Sequence, residues 1–279
     1  MAAPVRIVTD SSAVIPPAMC DALRITTVPL WLHLGDTSYR DGVDMAAGEF
    51  YQRLAGGERV STSSPSPGDF AAAYRRLLEG GAGALLVPTV AREFSAIHDA
   101  ARVAAREFPD AAIEVFDTRT AVSGAGLIAL AAAERAAAGA SLSRVLKTAR
   151  RVAGRVELLA TLHTLQYLRR SGRVPAVRAW AGDLLRIKPV IRLHDGQVVR
   201  EPIALTREGA VDRMVTAASA GDGRLRAGVF HAGASAEADD LAARLTAADP
   251  GGEVFVTTFS PAMGAHSGTG VLGVAWWRR

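Results

Sequence analysis

The sequence predicts an α/β protein of two domains, with a parallel sheet in the N-terminal domain and a mainly antiparallel sheet in the C-terminal α/β domain. In the first half, short β-branched runs alternate with helical stretches bounded by glycines, which is typical of a parallel sheet covered on both faces. In the second half, Asp195-Gly196 separates two alternating apolar runs, the strongest short signal for a β-hairpin. We expect antiparallel pairing only in the second half and place the domains at residues 1–154 and 155–279.

The N-terminal domain begins with the run VRIVTDSS, whose β-branched residues predict a buried strand and whose Asp and Ser predict a helix-capping turn. Further apolar runs predict strands, and Ala-rich or amphipathic stretches predict helices. The strands are expected at 5–12, 26–35, 83–90 and 112–118, and the helices at 16–25, 46–57, 70–81, 94–108, 126–139 and 141–154. Residues 36–45 and 61–69 are expected to be turns and loops, because Gly, Pro, Ser and Asp are concentrated there.

The C-terminal domain is expected to follow with a strand at 156–165 and the hairpin at 187–205. Strands at 225–233, 253–260 and 270–277 and a helix at 236–247 complete it. The final strand is preceded by a glycine-rich loop that contains His266.

The amino-acid composition limits the classes of protein to which this chain can belong. The 279 residues are 49% hydrophobic and 22% charged, which is ordinary for a globular protein. The net charge of +4 does not come from a basic tract with interleaved aromatics, so nucleic-acid binding is not predicted. A single cysteine, Cys20, excludes an internal disulfide and a multi-cysteine metal site. No apolar run is long enough to span a membrane, and we expect a cytoplasmic protein.

Three local patterns suggest chemistry. SGAGLIA resembles a loose dinucleotide-binding pattern, but Arg144 stands where an acid is needed, so glycines at a helix start are favoured. The loop VSTSSPSPGDF collects hydroxyls in front of a helix start, where side chains and main-chain amides converge on an anion. The six histidines are scattered singly, without the i, i+4 spacing of metal ligands, so no metal is predicted.

His266 leaves two alternatives open. It is either a ligand for an anionic head group, together with Ser95 and the hydroxyl loop, or the general base of a hydrolase acting on an acyl or phosphate ester. The hydrolase pattern G-x-S-x-G fails around Ser267, because Ala265 and Thr269 occupy the glycine positions.

The chain resembles the DegV family along essentially its whole length. Five ordered motifs carry the resemblance: IVTDSSAVIP with VPLWLHLGDTSYRDGVDM, STSSPSP, TLHTLQYLRRSGRV, IKPVI with DGQV, and GAHSGTG. The resemblance implies a non-enzymatic protein without a cofactor. It would bind a long-chain fatty acid in a tunnel between its two domains and present the carboxylate to a separate fatty-acid kinase for phosphorylation to an acyl phosphate.

Carried over by motif, the resemblance implies that the carboxylate would be bound by Thr62, Ser63, Ser95 and His266. Arg173 and Ser267 would support the head group or a partner. We expect hydroxyls and a neutral imidazole to satisfy the carboxylate without a fixed charge.

The sequence departs from the family pattern at two places. Ala96 and Ile97 follow Ser95 where the family usually has Gly-Thr, and Leu205 replaces a frequent arginine.

The cluster Arg169, Arg170 and Arg173 is explained by the favourable placing of cations at a helix C-terminus. The alternative hypothesis is that this cluster docks to an acidic kinase surface or to anionic lipid. Transient membrane contact through the terminal WWRR stays an alternative to a simple strand end.

Overall fold

The structure is a computed structural model that describes residues 3–174, 177, 189–202 and 204–279. The strands are β1 Val5–Asp10, β2 Thr26–Val28, β3 Trp31–Leu34, β4 Thr37–Arg40, β5 Val60–Ser63, β6 Ala84–Thr89, β7 Ala112–Asp117, β8 Glu157–Thr161, β9 Val190–His194, β10 Gln197–Arg200, β11 Leu225–His231, β12 Glu253–Thr258 and β13 Leu272–Arg278. The α-helices are α1 Pro17–Leu23, α2 Ala47–Ala55, α3 Pro67–Glu79, α4 Ile97–Ala105, α5 Val122–Ala137, α6 Leu142–Ala153, α7 Gln166–Ser171, α8 Arg207–Ser219, α9 Ser235–Ala248 and α10 Pro261–Ser267.

The predicted two-sheet architecture is confirmed. The N-terminal half forms a four-stranded parallel sheet in the order β2-β1-β6-β7. The C-terminal half forms a six-stranded sheet in the order β10-β9-β8-β13-β11-β12, in which β11 and β12 make the one parallel pair. Its β9–β10 hairpin turns at Asp195 and Gly196, both with positive φ, as the sequence predicts.

The expectation that the first half lacks antiparallel pairing is wrong. A three-stranded antiparallel sheet, β4-β3-β5, covers a small core of its own. The predicted strand at 26–35 is divided at Pro29: β2 joins the parallel sheet and β3 joins the small sheet. Proline has no N–H to donate to a ladder, so a strand ends readily at this position. The predicted loop at 61–69 begins as β5.

Helix α5 lies between the two large sheets and is buried along most of its length. Its glycines allow close packing: a Cβ on Gly126 would stand 2.6 Å from the carbonyl oxygen of Ala13. A Cβ on Gly124 would meet the hydroxyl of Thr120 at 2.5 Å. The glycines of SGAGLIA therefore serve helix packing at the start of α5, as favoured from the sequence.

Two helices were not predicted. Helix α8 begins at the N-cap Thr206, whose hydroxyl accepts a hydrogen bond from the Gly209 N–H at 3.0 Å. Helix α10 replaces part of the predicted glycine-rich loop, so His266 stands in a helix rather than a loop. Pro261 occupies its first position, where a missing N–H costs nothing.

The main hydrophobic core runs through both halves of the chain. It joins Ile7 and Leu86 of the parallel sheet to Phe230 and Trp277 of the six-stranded sheet, with α5 between them. The boundary between residues 154 and 155 therefore stays a prediction. Within the described ranges, no helix is both long and apolar enough to cross a lipid bilayer.

Candidate functional site

An apolar cavity lies where the two large sheets and the small sheet meet. Its volume of about 170 Å³ compares with about 10–15 Å³ for one water molecule on the same measure. Most of the lining is carbon. The apolar lining residues are Leu30, Val90, Phe94, Ile97, Ala121, Val122, Leu158, Ala160, Leu162, Leu168, Val174, Ile191, Leu193, Val198, Phe230, Phe259, Met263 and Val271. A cavity of this kind favours an apolar ligand that excludes water.

Polar side chains border the same cavity and come from separate elements. They are Ser12, Thr62, Ser63, Ser64, Ser95, Arg173, His266 and Ser267. All six site residues predicted from the sequence are among them. The structure therefore collects these residues at one cavity, although their side chains do not all take part in the same contacts.

Thr62 and His266 form the central pair of the polar lining. The Thr62 Oγ1 and His266 Nε2 atoms are hydrogen-bonded at 2.7 Å, across 204 residues of sequence. Thr62 lies in β5, where it faces Leu32 of β3. His266 lies in the last turn of α10. The pair thus connects the small sheet of the N-terminal half with the C-terminal half.

Burial keeps His266 neutral. Loss of solvent, and to a smaller extent the nearby positive charge of Arg173, together lower the pKa of the imidazole to about 4. The expected neutral imidazole is therefore present. Arg173, expected as support for the head group or a partner, also lines the cavity and brings a positive charge near His266.

Ser95 makes a second hydroxyl pair, with a residue that the sequence reasoning missed. The Ser64 and Ser95 Oγ atoms lie 2.9 Å apart, and Ser95 Oγ also accepts a hydrogen bond from the Ile97 N–H at 3.3 Å. Successive residues of an extended chain point to opposite sides, so Thr62 and Ser64 share one side. This alternation was the signal that distinguishes Ser64 from Ser63.

Ser63 borders the cavity, but its hydroxyl is engaged elsewhere. Ser63 Oγ lies 2.9 Å from His33 Nε2 on the solvent-exposed side of the small sheet. Ser267 is buried, and its hydroxyl donates toward the carbonyl oxygens of Met263 and Gly268 at 3.0 and 3.2 Å. Ser267 therefore supports the end of α10 rather than offering its proton to the cavity.

The helix that carries His266 is held by a buried carboxylate. Asp41 Oδ1 accepts a hydrogen bond from the Ala262 N–H at 2.9 Å, and Asp41 Oδ2 accepts one from Ser11 Oγ at 2.6 Å. The Ser11 hydroxyl in turn accepts from the Leu30 N–H at 3.0 Å. Burial raises the pKa of Asp41, opposed by these hydrogen bonds. This series of hydrogen bonds, from the Leu30 N–H through Ser11 and Asp41 to the Ala262 N–H, fixes α10 against the N-terminal half.

The basic cluster is divided by the end of α7. Arg169 and Arg170 stand in its last turn, and Gly172 ends it in the left-handed conformation, as the helix-capping interpretation requires. Arg173 follows and its Nη1 donates to the Ser171 carbonyl oxygen at 2.8 Å. Only Arg173 of the three borders the apolar cavity. Trp276 and Trp277 are buried in β13, so the strand-end interpretation of WWRR is confirmed.

The arrangement is better suited to binding than to hydrolysis. His266 meets a threonine hydroxyl, but the side-chain hydrogen bonds of the described residues give it no carboxylate partner to orient it as a base. A pKa near 4 also makes the imidazole a weak base at neutral pH. In the part of the chain that is described, no group of three or more His, Cys, Asp or Glu side chains is arranged to hold a metal ion.

These features define a two-domain α/β protein with an apolar cavity and a polar, hydroxyl-rich border. A family model described as "Uncharacterised protein, DegV family" matches residues 4–279, and the chain belongs to this family. A DegV domain-containing protein of Streptomyces coelicolor is 37% identical over 97% of each chain. One from Mycobacterium tuberculosis is 34% identical, over 96% of this chain and 95% of that one.

Two solved structures are similar over nearly the full chain. A DegV family protein from Thermus thermophilus, described for its fatty acid binding, superposes with a TM-score of 0.90 at 30% identity, covering 99% of this chain and 100% of that one. DegV of Bacillus subtilis, described as a fatty acid binding protein, gives 0.88 at 26% identity with the same coverage. This chain therefore shares its fold with proteins that are described for fatty acid binding.

Proposed function

We propose that this protein binds a long-chain fatty acid, with the acyl tail in the apolar cavity and the carboxylate at its polar border. The observation that carries the proposal is the position of Thr62, Ser95 and His266 at the edge of one apolar cavity. The fatty acid binding described for the related proteins of Thermus thermophilus and Bacillus subtilis supports it. On this proposal the bound ligand is a fatty acid and no cofactor is needed.

Burial of the acyl tail in the cavity would supply the binding free energy. Each buried methylene contributes about 0.8 kcal/mol, so about ten buried methylenes contribute roughly 8 kcal/mol before the entropic cost of association. The stacked rings of Phe230 and Phe259, with centroids 5.1 Å apart, both border the cavity. Such a lining favours the binding of a long apolar chain and offers few hydrogen bonds to a polar ligand.

The head group requires hydrogen-bond donors, because an unpaired carboxylate at an apolar cavity costs several kcal/mol. The hydroxyls of Thr62 and Ser95, assisted by Ser64, would donate to it. Neutral His266 has a single N–H, and donating it from Nε2 to Thr62 Oγ1 leaves the Thr62 hydroxyl proton free for the carboxylate, while the nearby Arg173 adds a favourable charge. Ser63, expected among the carboxylate ligands, takes no part through its hydroxyl on this proposal, because that hydroxyl contacts His33. Ser267 supports the cluster by holding the end of α10.

The function further includes presentation of the carboxylate to a separate fatty-acid kinase in the cytoplasm. Thr62, Arg173 and His266 border not only the apolar cavity but also an open polar groove of about 590 Å³ on their outer side. A carboxylate held between the two would be accessible to a phosphate donor while its tail remains dry. The protein itself then acts as a carrier, not as an enzyme.

The double variant Thr62→Ala with Ser95→Ala tests this function. After removal of bound lipid, titration with oleate should show at least about tenfold weaker binding than in the unchanged protein, because two donors to a charged group are lost. Unchanged affinity would show that the carboxylate does not lie there. Ester turnover by the purified protein that disappears in His266→Ala would instead support the hydrolase alternative.

A further inference from the structure

A basic groove lies apart from the fatty-acid site, between α5, α6 and the end of β13. Its charged residues are Glu134, Arg135, Arg144, Lys147, Arg151, Arg155 and Arg279, and its volume is about 760 Å³. Helix α5 borders the apolar cavity at Val122 and this groove at Glu134. Twelve residues at about 1.5 Å per residue separate the two ends by roughly 18 Å. The groove is therefore a separate feature of the molecule.

Most of the positive charge in this groove is not neutralised by the protein. Five exposed cations have no carboxylate within ion-pair distance in the described part of the chain: Arg135, Arg144, Lys147, Arg151 and Arg155. The only carboxylate in the groove, among described residues, is Glu134, which already pairs with Arg226 and Arg279.

The spacing of these cations brings like charges together. Arg144, Lys147 and Arg151 stand at positions i, i+3 and i+7 of α6, which places them on one face of the helix. Like charges at such spacing repel each other and destabilise a helix. An anionic ligand would relieve that repulsion.

The wall of the groove also contains a buried donor, close to the exposed cations. Trp277 borders the groove and is 3% exposed, and its indole Nε1–H has no acceptor among the described residues. A buried donor without a partner costs about 1–3 kcal/mol. The guanidinium of Arg279 lies 5.8 Å from the centre of the Trp277 ring, so a cation stands beside this donor.

We propose that the groove binds a ligand carrying at least two phosphate groups, held by the guanidiniums of α6. Arginine pairs with phosphate through two parallel hydrogen bonds, which suits a groove rich in arginine. The backbones of Arg144 and Arg151 are about 10 Å apart along α6, so a ligand with two phosphate groups can contact both ends of this row of cations at once. The phosphates are supplied either by a soluble diphosphate compound or by the head groups of neighbouring phospholipids.

Titration with inorganic pyrophosphate tests the site. The variant Arg144→Gln with Lys147→Gln and Arg151→Gln removes three charges from the groove. The control Arg76→Gln with Arg102→Gln and Arg106→Gln removes three exposed, unpaired charges near α3 and α4. We expect the groove variant to bind pyrophosphate about tenfold or more weakly than the control. The indole N–H resonance of Trp277 should shift on binding in the unchanged protein and in the control.

Flotation with vesicles separates the two sources of phosphate. Vesicles of phosphatidylcholine with phosphatidic acid are compared with vesicles of phosphatidylcholine alone. Binding to the acidic vesicles that the groove variant loses and the control keeps, without pyrophosphate binding, assigns the site to lipid head groups. Pyrophosphate binding with the same dependence assigns it to a soluble ligand. Failure to bind either probe, equal losses in the two variants, or an unmoved Trp277 resonance at saturation would overturn the proposal.

Discussion

His266 is a titratable side chain held neutral at the border between an apolar cavity and a polar groove. Burial and the charge of Arg173 both disfavour its protonation, and Thr62 fixes its Nε2 atom. A neutral imidazole that donates its one proton to Thr62 Oγ1 leaves the Thr62 hydroxyl proton available without adding a full charge of its own. In the proposed complex the favourable charge comes from Arg173, so the two roles fall to two residues.

Replacing Thr62 with valine tests which hydroxyl of β5 faces the ligand. Valine keeps the shape and removes the hydroxyl, so Thr62→Val should weaken oleate binding by about tenfold, the loss of one hydrogen bond to a charged group. Ser63→Ala is the matched control on the opposite side of the strand and should change the affinity by less than about twofold. Oleate affinities measured by calorimetry compare the two. A larger loss of oleate affinity in Ser63→Ala than in Thr62→Val would show that the Ser63 hydroxyl binds the carboxylate instead.

The low pKa of His266 makes stability depend on pH. The folded pKa is about 4 and the unfolded value about 6.5, so the unfolded chain binds the proton more tightly. The contribution is fully present above pH 6.5 and is lost as the pH falls toward 4. Its size is on the order of 3 kcal/mol. Urea unfolding from pH 7 to pH 4 should therefore show a smaller decrease in stability for His266→Asn than for the unchanged protein. Equal decreases would contradict the burial of His266.

At the residue level, the motifs pointed to side chains that the structure brings to one cavity, but not to the directions of those side chains. Thr62, Ser95, His266 and Arg173 all lie at this cavity, and their roles stay predictions. The Thr-Ser motif does not distinguish Ser63 from Ser64, because the alternation of a strand gives no guidance in a segment expected to be a loop. The involvement of Arg173 as a charge at the cavity depends on the chain direction after Gly172, which composition does not reveal.

At the scale of elements, the position of α10 depends on Asp41. Its carboxylate accepts hydrogen bonds from the helix start and from Ser11, and small residues allow α10 to approach α2. A Cβ on Gly264 would stand 2.8 Å from the ring of Phe50 and 2.7 Å from Tyr51. The helix that carries His266 is thus fixed at its beginning and along one side.

Truncation of Asp41 should loosen this helix. Asp41→Ala leaves the Ala262 N–H and the Ser11 hydroxyl without their partner and should lower the free energy of unfolding by about 1–3 kcal/mol. Asp41→Asn keeps an acceptor for the N–H and should lose less. Asp110→Ala, at an exposed carboxylate, serves as the surface control. Equal stability of Asp41→Ala and Asp110→Ala in urea unfolding would contradict the anchoring role.

The β9–β10 hairpin covers one side of the cavity with Ile191, Leu193 and Val198. Its turn is tied to the N-terminal half, because Arg119 pairs with Asp195 and the Arg119 carbonyl oxygen accepts from the Gly196 N–H at 2.7 Å. These contacts hold the cavity wall in place.

Gly196→Ala tests the hairpin turn. The φ of +76° strains any residue with a Cβ, so this change should destabilise the protein by about 1–2 kcal/mol. Oleate should dissociate faster, because the wall of the cavity loosens. Gly48→Ala, in α2 with open space around it, is the matched control and should be neutral or slightly stabilising. Thermal unfolding and stopped-flow dissociation give the two readings. No difference between the variants would show that the turn is not under conformational constraint.

Elements were predictable where a local pattern was strong. The parallel strands, the Ala-rich α5 and the Asp-Gly hairpin follow directly from periodicity and turn chemistry. The small antiparallel sheet was missed because β4 and β5 are short, polar and half-exposed, so they carry no apolar run. Helix α10 was missed because glycine and serine predict a loop unless tertiary contacts, here Asp41 and Phe50, stabilise a helix.

At the scale of the whole molecule, the cavity exists because two sheets share one core without filling it. Residues from both halves enclose the apolar space, while β5, α10 and the segment after α7 bring polar groups to its border. Neither half could form the site alone. A pattern read along the chain identifies the parts, but the meeting of Thr62 with His266 is a property of the assembled fold.

Mass spectrometry of an organic-solvent extract of the purified protein tests whether the cavity holds a fatty acid. We expect about one equivalent of a long-chain fatty acid per chain, or its stoichiometric uptake when oleate is added to the lipid-free protein. An extract without fatty acid, together with no uptake of added oleate, would show that the cavity does not bind one.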